Sequence, residues 1–484
     1  MNTKVLLGCF GIILMLAAFS LGVPGCTTNL ATGEKHLSLI SESQEISMGK
    51  EYDASVQSSI GVYDDAELQR YIQELGARIA PKTERPNLPW TFRVADDPVV
   101  NAFAIPGGYV YVTRGLLAYM NNEAQLAGVV AHEIGHITAR HSVNNLSNQM
   151  LAQLGLGLGM ILAPEEMQKY GQLANAAVSI LFLKFSRDDE TQADNLGVRY
   201  MVRIDQDPRQ LIDVMNVLER VSEASGAGRI PEWLSTHPSP PNRARDITEQ
   251  IDTMQVKPVA SKMDVAGYIN RLNGLIFGEN PREGYFKGNA FYHPDLKFRI
   301  DFPQGWKTAN QKQAVIGQSE AEDAVLQLTL ANTKSADSAS MAFFSQQGVS
   351  AGSRQSLSIN GLRSVMGSFS ASTEEGSVAG SATFVEYDGR VYQILGYSVQ
   401  SAWSGYQSAV KNAALSFGRL TDTQALSVKP MKMKIVTLPQ AMTLDQFAQR
   451  YPSAVPLATV ALANQAETTT KFKKGDKLKQ IVAQ

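Results

Sequence analysis

The chain has 484 residues, 44% of them hydrophobic and 19% charged, a globular balance that argues against wholesale disorder and against a polytopic membrane protein. Lysine and arginine number 44 against 46 acids, and a formal charge of -2 gives no drive toward nucleic acid. The two cysteines, Cys9 and Cys26, exclude a disulfide framework. Residues 1–25 carry Lys4, an apolar run from Val5 to Val23 and then Pro24-Gly25, the pattern of a secretion signal ending at Cys26. From Ser41 to Ile79 apolar residues recur mostly at three- and four-residue spacing, which predicts helix up to the break at Pro81, Pro86 and Pro89. Strands are expected at Thr91–Val94 and, through Pro106-Gly107-Gly108, at Tyr109–Thr113. A strong helix follows from Asn121 to Ser142, with Asn121 or Asn122 as N-cap. The apolar, glycine-bearing stretch from Leu151 to Phe185 reads as a packed or lid-like helix pair rather than a membrane-dipping element, since Pro164, Glu165, Glu166 and Lys169 interrupt it. Ser186–Ile204 is predicted helical, with Ser186 and Asp189 spaced as a capping box. Helices at Pro208–Ala224 and Arg243–Met254 flank a proline-rich loop. From Gly284 to about Leu420 alternating apolar residues predict a second, strand-dominated domain, and a small βααβ-like tail begins near Met433.

Leu21-Gly22-Val23-Pro24-Gly25-Cys26 resembles a bacterial lipobox, which implies that Cys26 is acylated and becomes the new N-terminus. The alternative is an uncleaved signal anchor. Thr27 in place of an aspartate implies sorting to the outer membrane. Lipid attachment would hold a soluble body at a membrane surface outside the cytoplasm.

The decisive residues are His132-Glu133-Ile134-Gly135-His136. Positions four apart share one face of a helix, so both imidazoles can reach one metal ion while Glu133 points toward its water. A catalytic zinc keeps three protein ligands and an open position, and it lowers the pKa of a bound water to about 7. Glu133 would take that proton and deliver it to the leaving amine. His141, five residues beyond His136 and roughly 140° round a continuous helix, is expected to make a structural hydrogen bond. Glu190 and Asp194 lie four apart on the next helix. Glu190 can reach the metal and Asp194 can hold a ligand histidine by its other ring N–H; taken alone, such acids more often form a solvated helix face.

Asn101-Ala102-Phe103-Ala104-Ile105-Pro106-Gly107-Gly108, the His132–His136 helix, Ser186-Arg187 with Glu190 and Asp194, and Ser235-Thr236-His237-Pro238 followed by Arg243 together resemble the HtpX-like zinc metallopeptidases, the family of the type I CAAX prenyl endopeptidases. The resemblance spans roughly Ser41 to Ile251 and implies a zincin-type (gluzincin) catalytic domain with one Zn2+ per chain, Glu190 as third ligand and Asp194 as support for a ligand histidine. It also implies that Tyr109–Thr113 is an edge strand on which an extended substrate pairs, with Asn101, Gly108, Tyr109, Val110 and Tyr111 as its contact residues. His237 is implied either as a fourth ligand that holds the enzyme latent or as a loop hydrogen bond. Arg243 is read either as an oxyanion stabiliser or as a salt-bridged residue at a helix start. Flanking transmembrane helices are missing from the pattern, which disfavours prenyl-protein processing and favours the periplasmic branch concerned with protein quality control.

Phe291-Tyr292-His293-Pro294 to Trp306 resembles the start of a PsbP/Mog-like α+β sandwich. The tail, with Met442-Thr443-Leu444, Leu462-Ala463-Asn464 and Lys474-Gly475-Asp476-Lys477-Leu478, resembles a degenerate LysM module, which implies peptidoglycan binding, against the alternative of a protein-contact module. The expected fold is therefore α+β: a signal peptide at 1–25, a mainly helical metalloendopeptidase domain at 26–270, a strand-rich domain at 284–422 and the LysM-like module at 431–484. The expected function is hydrolysis of unfolded or misassembled proteins in the bacterial periplasm by an outer-membrane lipoprotein. The alternative is a chaperone or scaffold for outer-membrane precursors whose zinc is latent or structural.

Overall fold

The computed structural model describes residues 26–156, 185–224, 237, 242–255, 265–373 and 376–483. The signal-like segment 1–25 and residues 157–184 of the glycine-bearing stretch lie outside the described residues, as does the Ser235-Thr236-His237-Pro238 loop apart from His237. Among the described residues no helix is long and apolar enough to cross a membrane.

A short hairpin, β1 (Cys26–Thr28) with β2 (Lys35–Leu37), opens the chain. Helix α1 (Glu42–Ser59) starts at Ser41, whose hydroxyl accepts from the Gln44 backbone in a capping box. Helix α2 (Ala66–Ile79) starts at Asp65 and buries Leu68, Tyr71, Ile72, Leu75 and Ile79, one apolar face at helical spacing. The predicted strands follow as β3 (Thr91–Ala95) and β5 (Tyr109–Thr113), with β4 (Ala102–Ile105) between them.

The sheet order is β3-β5-β4, which corrects the expected placement of Tyr109–Thr113 at an edge. Gly107 and Gly108, both at positive φ, fold β5 back antiparallel on β4, and β3 then takes the other side of β5 in parallel register. Both hydrogen-bonding edges of Val110 and Tyr111 are thus used within the sheet. Tyr111 is also fully buried, its hydroxyl donating to Asp53 of α1, which is itself bound by Arg93. The outer strand packed against the helix that carries His132 is β4, immediately after Asn101.

Helix α3 (Arg114–Tyr119) leads into α4 (Glu123–Thr138), where Asn122 accepts from the Gln125 backbone at 2.9 Å as N-cap. The predicted continuous helix to Ser142 is broken: Arg140 adopts φ 60°, and a new helix, α5 (His141–Leu156), begins one residue later. Arg140 is held there by Glu45 at 2.9 Å, and Arg85 bridges Glu45 to the Ile137 carbonyl at the end of α4. Beyond the undescribed stretch come α6 (Arg187–Arg203), with the Ser186/Asp189 capping box in place, α7 (Arg209–Ala224), α8 (Arg243–Thr253) and α9 (Val265–Arg271). Helices α4 and α6 approach closely because Gly135 and Gly197 carry no side chain. A Cβ at Gly135 would lie 3.0 Å from the Ala193 carbonyl oxygen, and one at Gly197 would lie 3.3 Å from the His132 nitrogen.

After α9 a two-residue strand, β6 (Ile276–Phe277), precedes the middle region, which holds a seven-stranded antiparallel sheet between Lys307 and Val399 and a four-stranded sheet. Its cores are its own: Phe291, Phe298, Leu326, Tyr392 and Phe417 in one, Phe343, Phe369 and Phe384 in another. The tail comprises β7 (Met431–Thr437), α10 (Leu444–Arg450), α11 (Leu457–Ala463) and β8 (Lys477–Ala483), with β7 and β8 antiparallel. β6 completes this sheet, Phe277 lying opposite Met431. Phe447, Val460, Leu478 and Ile481 belong to the same hydrophobic cluster as Leu126 and Val130 of α4 and Leu218 of α7.

Candidate active site

Helix α4 carries His132, Glu133 and His136, and α6 carries Glu190 and Asp194; the contact through Gly135 and Gly197 brings these two faces together. One ligand atom from each of His132, His136, Glu190 and His237 lies within 4.8 Å of all the others, and all four residues are at most 1% exposed. The Nε2 atoms of His132 and His136 are 3.1 Å apart, and both face Glu190, at 3.7 and 3.5 Å. His237 Nδ1 lies 2.9 Å from Glu190 Oε1 and 3.4 Å from His132 Nε2, while its Nε2 is 3.6 Å from Glu133 Oε1. Glu133, the next residue after His132, is fully buried beside this cluster.

The imidazoles are held from behind. His132 Nδ1 is 2.9 Å from Asp194 Oδ1, and Arg243 grips that carboxylate through Nε and Nη2, each at 2.7 Å. Arg243 Nη1 reaches Glu190 Oε2 at 2.9 Å. Arg243 opens α8, is 3% exposed, and directs its guanidinium at the carboxylates of α6. His136 Nδ1 is 2.9 Å from His141 Nδ1, whose Nε2 is 3.1 Å from Gln192 Oε1, and the Phe185 ring stacks on His136 at 3.9 Å between centroids.

Burial pulls the His136 imidazole well below its usual range, helped by the other histidines around it. Burial raises the Glu190 carboxyl, yet His237, His132 and Arg243 outweigh this and leave it below the ordinary carboxylate range. Asp194 behaves alike, with Arg243 and His132 offsetting its burial. Burial pushes His237 down, but Glu190 and Glu133 reverse the sign and raise it.

The structure thus brings together His132, Glu133, His136, Glu190, Asp194, His237 and Arg243. Of the substrate-strand residues, Asn101 is buried at the entry to β4 with its amide oxygen unpaired, Gly108 forms the turn, and Tyr109, Val110 and Tyr111 sit in the central strand. Cys26 is the first residue of β1. Sequence reasoning missed Phe185 and Gln192, for which no local pattern speaks; Gly135 and Gly197 were the available signal that α4 and α6 pack closely.

Comparison with known proteins bears on this arrangement. Residues 66–251 match the model of peptidase family M48. Over this segment, termed the M48 domain, the chain is similar to M48 metallopeptidases. The Yersinia pestis beta-barrel assembly-enhancing protease is 32% identical over 247 residues, covering 49% of this chain and 50% of its own. The mitochondrial metalloendopeptidase OMA1 of Schizosaccharomyces pombe is 34% identical over 189 residues, covering 39% and 54%. The chain therefore spans about half the length of the curated relatives it matches. Among solved structures, cyanobacterial PsbP from Synechocystis is matched at 14% identity and a TM-score of 0.24, over 27% of this chain and 91% of its own. The M48 domain begins in α2 and ends in α8, and it contains every residue of the buried cluster.

Proposed function

We propose that the M48 domain holds one zinc ion on His132, His136 and Glu190 and hydrolyses peptide bonds of unfolded or misassembled proteins in the bacterial envelope. The observation that carries this is the convergence of three ligand-type side chains with a second acid, Glu133, that is not needed as a ligand. The donor set suits zinc: two imidazole nitrogens and a carboxylate oxygen, with each imidazole hydrogen-bonded at its far nitrogen. Zinc bound there would supply the Lewis acidity that lowers the pKa of a water to about 7 and polarises the substrate carbonyl. Glu133 then accepts the proton of the attacking water and returns it to the leaving amine. Asp194, clamped by Arg243, keeps His132 in the tautomer that presents the Nε2 lone pair to the metal.

His237 is the fourth member of the cluster and, in this reading, holds the enzyme latent until its loop withdraws. The edge of β4 replaces Tyr109–Thr113 as the strand on which an extended substrate pairs, consistent with its place as the outer strand beside α4. The name of the Yersinia relative, a beta-barrel assembly-enhancing protease, supports outer-membrane protein precursors as the substrate class. Acylation of Cys26 would tether the body to the outer membrane with the site facing the periplasm. For the tail, a protein-contact role has more support than peptidoglycan binding, because Gln465, Glu467 and Lys479 all engage the M48 domain.

The test is cleavage of an unfolded substrate alongside metal content. The wild type and His237→Ala should cleave, the latter faster, while Glu133→Gln should keep zinc and lose at least about a hundredfold in rate. Equal cleavage by wild type and Glu133→Gln would remove the mechanism. Zinc retained with no cleavage even in His237→Ala would favour the scaffold role.

A further inference from the structure

We infer that His141 is a positioning residue for the metal centre: it accepts a hydrogen bond from His136 and so selects the His136 tautomer that presents Nε2 to the metal. This rests on the zinc reading above. The two α4 histidines are held by different chemistry. His132 is backed by the Asp194 carboxylate, which can only accept when ionised. His136 is backed by another imidazole, whose Nδ1 lies 2.9 Å away and can either donate or accept.

Gln192 resolves that ambiguity. A ligand His136 needs the lone pair of Nε2, so its single N–H must be at Nδ1 and points at His141 Nδ1. His141 Nδ1 must then be the acceptor, which puts its own N–H at Nε2. That nitrogen faces Gln192 Oε1 at 3.1 Å, with Asp189 Oδ1 at 3.6 Å, and both are acceptors. The relay runs in one direction only: His136 Nδ1–H to His141, His141 Nε2–H to Gln192. The reverse assignment, His141 Nδ1–H to His136 Nδ1, would put the His136 proton on Nε2, where the metal binds, and set the His141 Nε2 lone pair against Gln192 Oε1 at 3.1 Å.

The backbone makes this possible at Arg140. On an uninterrupted helix His141 would point away from His136; the left-handed residue at 140 reverses the chain so that His141, the first residue of α5, turns back against α4. His141 is 2% exposed, and Phe185 closes the face of the His136 ring, so a water has little room to replace the imidazole. Selecting the ligand tautomer with a neutral partner, rather than a second carboxylate, adds no negative charge behind His136. The pair of ligands is therefore asymmetric by design of the fold: one charged backing, one neutral.

Zinc affinity of the full-length chain, measured by competition with a chromophoric chelator, tests this apart from activity. His141→Leu should bind zinc about tenfold to a hundredfold more weakly than wild type. His141→Asn, whose Oδ1 sits where the imidazole Nδ1 does, should stay within about threefold, because it still accepts from His136. Gln192→Leu, which releases the His141 tautomer without touching His136, should fall between them and serves as the probe if His141→Leu does not fold. The inference is overturned if His141→Leu and Gln192→Leu bind as wild type does, or if Asn and Leu at 141 lose affinity equally. A wild type that binds no zinc at all would instead sink the zinc reading on which this stands.

Discussion

Residues 431–483 and the strand-rich region from Tyr285 to Arg419 both follow the M48 domain in sequence, yet they are attached to it in opposite ways. The tail contributes Met433, Phe447, Leu478 and Ile481 to the hydrophobic cluster of the catalytic helices, and its sheet is completed by β6 from the other side of the middle region. Lys479 is fully buried and donates to the carbonyls of Ala118 at 2.9 Å, Met120 at 2.6 Å and Ala463 at 3.0 Å. Burial pulls its ammonium well below the usual lysine range, and the three carbonyls match the three N–H donors of the charged form. Gln465 adds bonds to Gln125 and the Tyr119 carbonyl. These contacts fall on the turn from which α4 starts, while Arg85 and Arg140 secure its far end. The middle region closes its cores separately and meets the M48 domain through polar contacts such as Lys312 with Asp96 at 2.9 Å. Position along the chain says little about which segment is structurally part of the enzyme.

The comparison breaks most visibly if the tail is removed. A chain ending at Pro430 should lose the cooperative melting transition of the M48 domain and be recovered largely insoluble, because a shared core is left open to water. A smaller loss is expected for Lys479→Met, which leaves three buried carbonyls without a donor. At about 1–3 kcal/mol each this costs about 3 kcal/mol or more, and calorimetry should show the M48 transition lowered by roughly 6–12 °C. The transition of the middle region should not move.

The middle region has its own handle in His293. Burial lowers its imidazole to about 4, and its Nδ1 accepts from the Leu296 backbone N–H at 3.2 Å. Because the folded value lies below the usual 6.5, the unfolded chain takes up the proton first as pH falls. The stability tied to this residue is complete above about pH 6.5 and is lost on the way down to about pH 4, by at most about 3 kcal/mol. His293→Asn should flatten that acid slope for the middle transition alone. The smallest effect is expected from excision. Since Phe277 and Met431 are antiparallel partners, residues 279–429 should be replaceable by a turn of about four residues, leaving zinc binding and the M48 transition close to wild type.

Legibility from sequence divides along local and non-local lines. The His132–His136 helix, its Asn122 cap and the Ser186/Asp189 capping box were readable because each is set by residues within a turn of one another. Glu190 and Asp194 became candidates through their i, i+4 spacing. The order of the small sheet was not readable: β3, β4 and β5 each look like strands, and which one is central depends on how β3 returns in parallel to β5. The structural hydrogen bond expected of His141 is present, but its direction was not readable, because a left-handed arginine carries no sequence signature comparable to glycine. Nothing near Lys479 announces that its partners are Ala118 and Met120, more than 350 residues away.

The claim on which the rest depends is the composition of the metal centre. X-ray absorption at the zinc edge of the full-length chain tests it directly, since every proposed ligand is a nitrogen or oxygen donor. The account predicts one zinc with imidazole nitrogens at about 2.0–2.1 Å and a carboxylate oxygen, and loss of one imidazole contribution in His237→Ala with the metal retained. A sulfur contribution, or zinc that survives replacement of both His136 and Glu190, would contradict it.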